Sequence, residues 1–201
     1  MTDTEVIYIS GDVEFDGPLV GRNSMTSFAL TVAGRHRAGG EFERPLPDDP
    51  YYRTLLRPIG FDYDPETFAV SGLNRRDLMS AGTEPVEAMT SASRFVAEAA
   101  GDAKPVLVLH PVAVDWAWLH YYWTRFDPNG CPFGYNAAVD LRSIYMGMSG
   151  VDYVGSAPKR MPESFRTDLP HTHDALDDAR HQGAIFASIM EHAAQRAEVR
   201  S

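Results

Sequence analysis

The stretch Glu5-Val-Ile-Tyr-Ile-Ser-Gly-Asp-Val-Glu14 sets a run of β-forming side chains, Val6 to Ile9, directly ahead of two acidic residues. β-branched and aromatic residues in succession, closed by the turn signal Asp16-Gly17-Pro18, predict a strand over residues 5–14. Side chains alternate across a sheet, so Asp12 and Glu14 project from the same face. Gly11 leaves room for something to approach the backbone closely. Two further strands are expected at 24–32 and 37–44, which makes an antiparallel meander of the first three.

Outward from that strand, residues 45–72 are rich in Pro, Asp and Gly and read as a long ordered loop. Tyr51, Leu55, Leu56, Ile59, Phe61, Phe68 and Val70 are the side chains expected to bury it. A helix is predicted over 85–99 with Val86, Met89, Phe95 and Val96 inward, then a buried strand over 106–110. The next helix is expected to open near Asp115, with Trp118, Leu119, Tyr122 and Trp123 on one side. The loop 127–136 leads to a short strand-like segment at 137–148, and 158–170 is again irregular. Over 174–196, Leu176, Ala179, Gly183, Phe186, Met190 and Ala193 recur at three- and four-residue steps, the clearest helical stripe in the chain. Strands first, then alternating helix and strand, predict one α/β fold with a mixed sheet flanked by helices.

Composition sets bounds on this reading. A chain of 201 residues suffices for one well-buried core and is short for two independent domains. Apolar content of 44% and charged content of 23% are ordinary for a soluble globular protein. Cys131 is the sole cysteine, which excludes a disulfide framework and a cysteine-based zinc site. Residues 1–14 show no signal-peptide pattern, and no stretch approaches the ~20 apolar residues of a membrane span. A cytoplasmic protein is the default expectation. The net charge of −10 argues against sequence-independent clamping on a duplex. It leaves open an enzyme that grips a few nucleotides, because bound cations would neutralise its pocket.

Three distant stretches carry the candidate chemistry. Asp12 and Glu14 end the first strand; alone, a D-x-E at a strand end is better explained by a solvated polar tip. Asp115 follows a buried strand and opens a helix, where a first-turn acid also suits the helix dipole. His173 and Asp178 are five residues apart, about 140° around a helix, so they cannot share one helical face. For both to serve one site, His173 must lie in the loop before the helix and fold back over it, with Asp174 as the cap. Asp174 lies on the same face as Asp178 and is a rival ligand; Asp177 is expected to point outward and His171 to be a solvated neighbour. Taken together, four carboxylates and one imidazole describe a site for two divalent cations and hydrolysis of a phosphodiester.

In these motifs the chain resembles the DEDDh 3′–5′ exonucleases of the ribonuclease H-like superfamily. Asp12-Val13-Glu14 matches the first motif, Asp115 the second, and His173 with Asp178 in HDALDDA the third, so the resemblance spans about 7–190. It departs at His110-Pro111 and Val114, where His-Asn and an aromatic are common, and at Phe15, where Thr is common. No metal ligand is lost, but the pocket wall changes. The resemblance implies a single exonuclease domain over 1–201, with a ribonuclease H-like sheet of three antiparallel strands followed by parallel ones. It implies two divalent cations, Mg²⁺ or Mn²⁺, on Asp12, Glu14, Asp115 and Asp178, with His173 as general base. Single-stranded 3′ ends or short oligonucleotides are the implied substrates, nucleoside 5′-monophosphates the products, and a homodimer the implied assembly. Phe15 is the candidate for stacking on the terminal base, with core packing as the competing reading. Trp116, Trp118 and Tyr121 read as helix packing, and Arg22, Arg142 and Arg160 are candidates to reach phosphates, with plain solvation, usual for loop arginines, as the competing reading.

Other classes fit less well. An HD-type phosphohydrolase would use His173-Asp174 but is all-helical, against the β-rich first third. A metallo-β-lactamase-like motif fails at Ala175, which stands where an aspartate is needed. A catalytically silent module of the same fold would have been free to lose the five residues.

Overall fold

In the computed structural model, which describes residues 4–198, β1 (Val6–Phe15) lies inside a six-stranded sheet. Its two faces part company as the alternation requires. Ile7, Ile9 and Val13 are buried in one apolar cluster, whereas Tyr8 packs into another on the opposite side. β2 (Met25–His36) pairs antiparallel with β1, setting Asp12 opposite Ala29 and Glu14 opposite Ser27. On the other edge β5 (Lys104–Leu109) runs parallel to β1, and β6 (Ala138–Asp140) runs parallel to β5.

The third antiparallel strand is split. Of the expected 37–44, only β3 (Phe42–Glu43) pairs with β2, because Gly39 and Gly40, both at positive φ, turn the chain first. Pro45, Pro47 and Pro50 carry no N–H for a ladder. Pairing to β2 then resumes with β4 (Tyr51–Leu55), inside the stretch expected to be loop. That stretch also holds a short helix, α1 (Pro65–Ala69), and is followed by a second, α2 (Arg75–Ala81). Leu56 and Phe68 bury it as expected, but Phe61 is 86% exposed and Tyr51, Leu55 and Val70 also face solvent. On the edge strand, Arg180 stacks over Tyr51 and Asp174 pairs with Arg53, a polar cover that leaves the face partly open to solvent.

Two layers of helix cover the sheet. α3 (Pro85–Ala100) buries Ala88, Met89, Ala92, Phe95 and Val96 against the side of β1 that carries Ile7 and Ile9. Val86 is 52% exposed, contrary to expectation, because it lies about 100° off the stripe through Pro85, Met89 and Ala92. α4 (Val112–Phe126) joins the same cluster through Trp118, Leu119, Tyr122 and Trp123. It starts three residues earlier than expected, so Asp115 sits in its first turn rather than at its mouth. The segment 137–148 divides into β6 and α5 (Leu141–Ser149). Two 3₁₀ turns, Pro158–Arg160 and Glu163–Phe165, interrupt the irregular stretch.

α6 (Ala175–Glu198) covers the opposite face, burying Ile185, Phe186 and Ile189 with Val108 and Tyr145. Gly183 lets it press on the sheet: a Cβ there would lie 3.2 Å from Ser10 Cβ and 3.5 Å from Ala33 Cβ. That close approach sets the first turns of α6 beside the acidic end of β1. Antiparallel strands followed by parallel ones, with helices on both faces, is the ribonuclease H-like arrangement. Among the described residues, no helix is long and apolar enough to cross a membrane.

Candidate active site

The end of β1 carries Asp12 and Glu14 to the same side of the sheet as α6. Gln182, one turn beyond Asp178, is buried and donates its side-chain N–H to the Gly11 carbonyl, which ties α6 to the strand beside Asp12. Asp178 is 5% exposed. Its Oδ1 accepts the Thr172 N–H at 2.8 Å and its Oδ2 the His173 N–H at 3.1 Å. Those two bonds fold the loop over the helix start, with His173 at φ 60°, outside the usual range for a non-glycine residue. The fold-back that the five-residue spacing demands is therefore built by Asp178 itself.

Neighbouring acids have other duties. Asp174 Oδ1 caps α6 by accepting the Leu176 N–H at 3.0 Å, and its Oδ2 pairs with Arg53 at 2.6 Å. Asp177 accepts the Thr172 hydroxyl at 3.0 Å. His171, expected to be merely solvated, has Nδ1 2.8 Å from Asp178 Oδ1. Its ring centroid is 5.5 Å from those of both His173 and His181.

Asp115 reaches the site from the far end of β5, through the first turn of α4. It is 4% exposed, and its Oδ2 has no hydrogen-bond partner. All five motif residues, Asp12, Glu14, Asp115, His173 and Asp178, line one cavity of about 290 Å³. Within it, one ligand atom each from Glu14, His173 and Asp178 lies within 4.8 Å of the other two.

Crowding so many acids shifts their protonation. Burial, and then the charges of Asp115, Glu14 and Asp178, push the Asp12 carboxyl well above its usual range. Glu14 is raised to about 7, by burial and then by Asp178 and Asp174. Asp115 is likewise raised to about 7, chiefly by burial, with Glu14 and Asp140 adding repulsion. An orphaned buried oxygen, mutually repelling carboxylates and an oxygen-rich donor set fit hard divalent cations, whose charge would reverse these shifts.

Behind the cavity stands Asp140, which the sequence reading did not single out. Asp140 Oδ1 caps α5 by accepting from Ser143 N and Oγ, both at 2.7 Å, and its Oδ2 accepts the Val112 N–H at 3.2 Å. It thereby joins the starts of α4 and α5 below Asp115. An Asp followed three residues later by Ser at the head of an apolar helix was the legible signal. His110 Nδ1 is buried, 3.9 Å from Asp140. Phe15 stacks on Trp118, ring centroids 5.1 Å apart at 11°, while also lining the cavity. Of the arginines, Arg22 pairs with Asp62 at 3.1 Å and Arg160 is exposed away from the acids' cavity. Arg142 donates to Ser156 Oγ at 2.8 Å and stacks over Tyr153.

No protein-family model matches the chain. Among solved structures, Escherichia coli exonuclease I in complex with a dT13 oligonucleotide superposes with a TM-score of 0.68. Identity there is 11%, over 98% of this chain and 43% of that one. The nuclease domain of 3′hExo, a DEDDh family member bound to rAMP, gives 0.67 at 12% identity, over 94% and 92% of the two chains. Those likenesses establish a shared nuclease fold. A relative from Escherichia coli, 3′-5′ DNA exonuclease Cap18, is 31% identical over 189 residues, 94% of this chain and 93% of that protein. The chain belongs to the DEDDh 3′–5′ exonuclease family.

Proposed function

We propose that this protein removes nucleoside 5′-monophosphates one at a time from single-stranded 3′ ends, in a reaction that depends on two Mg²⁺ or Mn²⁺ ions. The observation that carries this reading is the convergence of Asp12, Glu14, Asp115, His173 and Asp178 on one cavity from four separate elements. Asp12, Glu14 and Asp178 would hold the ions, with Asp115 completing the set through its unpartnered Oδ2. When bound, the ions supply Lewis acidity that activates water and stabilises the charge on the leaving 3′ oxygen. His173 takes the proton of the attacking water on a ring nitrogen, the general-base role that a positioned imidazole fills. Asp178 positions that ring through the backbone bond to His173. Phe15, Val70 and Val114 give the cavity an apolar wall for the terminal nucleoside, with Phe15 offered to its base.

The relative's name makes DNA the first substrate to try. Matched DNA and RNA strands labelled at one end, with the 3′ or 5′ end blocked, test the reading directly. Shortening from free 3′ ends, release of 5′-mononucleotides and silence in chelator are the expected results. Equal degradation of 3′-blocked strands, or full activity in excess chelator, would overturn it.

A further inference from the structure

A second and larger cavity, about 550 Å³, adjoins the first. The two share Asp12, His110, His171 and Asp178, so the acids stand in the partition between them. A phosphodiester carries a nucleoside on either side of its phosphorus. If the scissile phosphate sits at the acids, the terminal nucleoside occupies one cavity and the rest of the strand must leave through the other.

The linings differ as those two tasks require. Phe15, Val70 and Val114 line the smaller cavity, which carries no Lys or Arg. The larger is lined by Arg142, Lys159 and Arg166, which α5 and the irregular stretch before α6 deliver to it. Among the described residues, none of these three makes an ion pair, whereas Arg35, Arg44, Arg53 and Arg75 are each neutralised by an Asp or Glu. The three outnumber the carboxylates, Asp12 and Asp178, that line the chamber with them, a local excess of positive charge in a protein of net charge −10. Arg142 is braced by Ser156 and Tyr153, and Arg166 donates to the Met161 carbonyl at 2.8 Å. Both are thus held in place. Lys159 is exposed, and its side chain is free to follow a ligand.

We propose that this chamber holds the phosphates of the nucleotides immediately 5′ of the scissile bond, with Lys159, Arg142 and Arg166 as the residues that position the strand. The proposal rests on the exonuclease reading above, and it extends that reading to how strand length is sensed. A substrate lacking upstream nucleotides leaves the chamber empty and forgoes its contacts. Charge-assisted contacts of this kind correspond to about tenfold each in affinity.

Two substrates separate the two claims. The p-nitrophenyl ester of thymidine 5′-monophosphate presents a scissile phosphate with no upstream nucleotide; a thymidine tetranucleotide fills both cavities. The wild-type protein is expected to favour the tetranucleotide by more than tenfold in kcat/KM. Lys159→Ala and Lys159→Glu are expected to shrink that preference, through KM, by about tenfold or more. A tetranucleotide with a non-hydrolysable phosphonate at its last linkage gives the same comparison by fluorescence anisotropy, without turnover. In Lys159→Ala its Kd should rise about tenfold, and the slope of log K against log salt should fall by about 0.7 for the lost contact. Arg94→Ala, on the exposed face of α3, controls for net charge and is expected to change neither readout. Equal effects of Lys159→Ala on ester and tetranucleotide, or no effect on either, would overturn the chamber's assignment and leave the exonuclease reading standing. Failure of the wild type to hydrolyse both substrates with Mg²⁺ or Mn²⁺ would strike the exonuclease reading, and anisotropy would still decide the chamber.

Discussion

Asp115→Asn should make the metal-free protein more stable while disabling it. The Asp115 carboxyl has an ordinary value of 3.8 and is pushed to about 7 by burial and by Glu14 and Asp140. Its Oδ2 finds no partner, and the backbone hydrogen bond at His110 offsets only part of the cost of ionising it in the fold. The span between those two values corresponds to about 4 kcal/mol at most. A folded-state value raised above the unfolded one gives stability that is fully present below about pH 4 and lost as pH climbs through 7. Asparagine has no proton to lose. The difference in unfolding free energy between Asp115→Asn and the parent should therefore grow by about 2–4 kcal/mol from about pH 4 to about pH 8. Relief of Asp12, which Asp115 also repels, has the same sign. Urea denaturation in chelator at several pH values measures this, and saturating Mn²⁺ should abolish the parent's disadvantage. A difference that stays flat across that range would refute the claim that Asp115 is held against its charge.

Asp178→Asn should end metal-dependent cleavage and loosen the histidine loop, because one acceptor facing Thr172 or His173 becomes an N–H. Asp174→Asn should keep activity within about threefold: Asn caps helices as well as Asp does, and the partly exposed pair with Arg53 contributes roughly 0–1 kcal/mol. The reverse ranking would show the ligand register on α6 to be misassigned. His173→Ala should lower turnover by about 10²-fold or more, with Mn²⁺ binding retained by calorimetry. Loss of Mn²⁺ binding in that variant would make His173 a ligand beside Glu14 and Asp178 instead. Phe15→Ala should raise KM for a single strand by about tenfold, as loss of a stacking contact does. A lower melting temperature with KM unchanged would assign the ring to packing on Trp118 alone.

Much of this site was legible because it rests on short-range rules. Alternation in β1 put Asp12 and Glu14 on one face, and the incompatibility of His173 and Asp178 on one helical face demanded a folded-back loop. What spacing does not carry is the partner of each group. His171 lies beside Asp178 in a loop where His173 takes a positive φ of 60°, a turn that spacing does not announce. β4 escaped notice because Tyr51–Leu55 is brief, follows three prolines and pairs with β2 residues twenty or more positions away. Its outward side chains meet only Arg180 and Asp174, and Phe61 stands on a loop, so hydrophobicity misled about burial there. α1 and α2 were missed despite a readable cue, since Asp64 and Asn74 cap them through their side chains. Of the basic chamber only Arg142 was foreseen as a phosphate contact, because Lys159 and Arg166 join it from an irregular stretch with no periodicity to read.

The central claim is that remote acids are gathered to hold divalent cations, and anomalous diffraction from crystals soaked in Mn²⁺ tests it most directly. Two manganese peaks are predicted in the cavity that Asp12, Glu14, Asp115 and Asp178 line, both missing in Asp178→Asn crystals. A wild-type crystal with no manganese within coordinating distance of Asp12 and Asp178 would contradict the account.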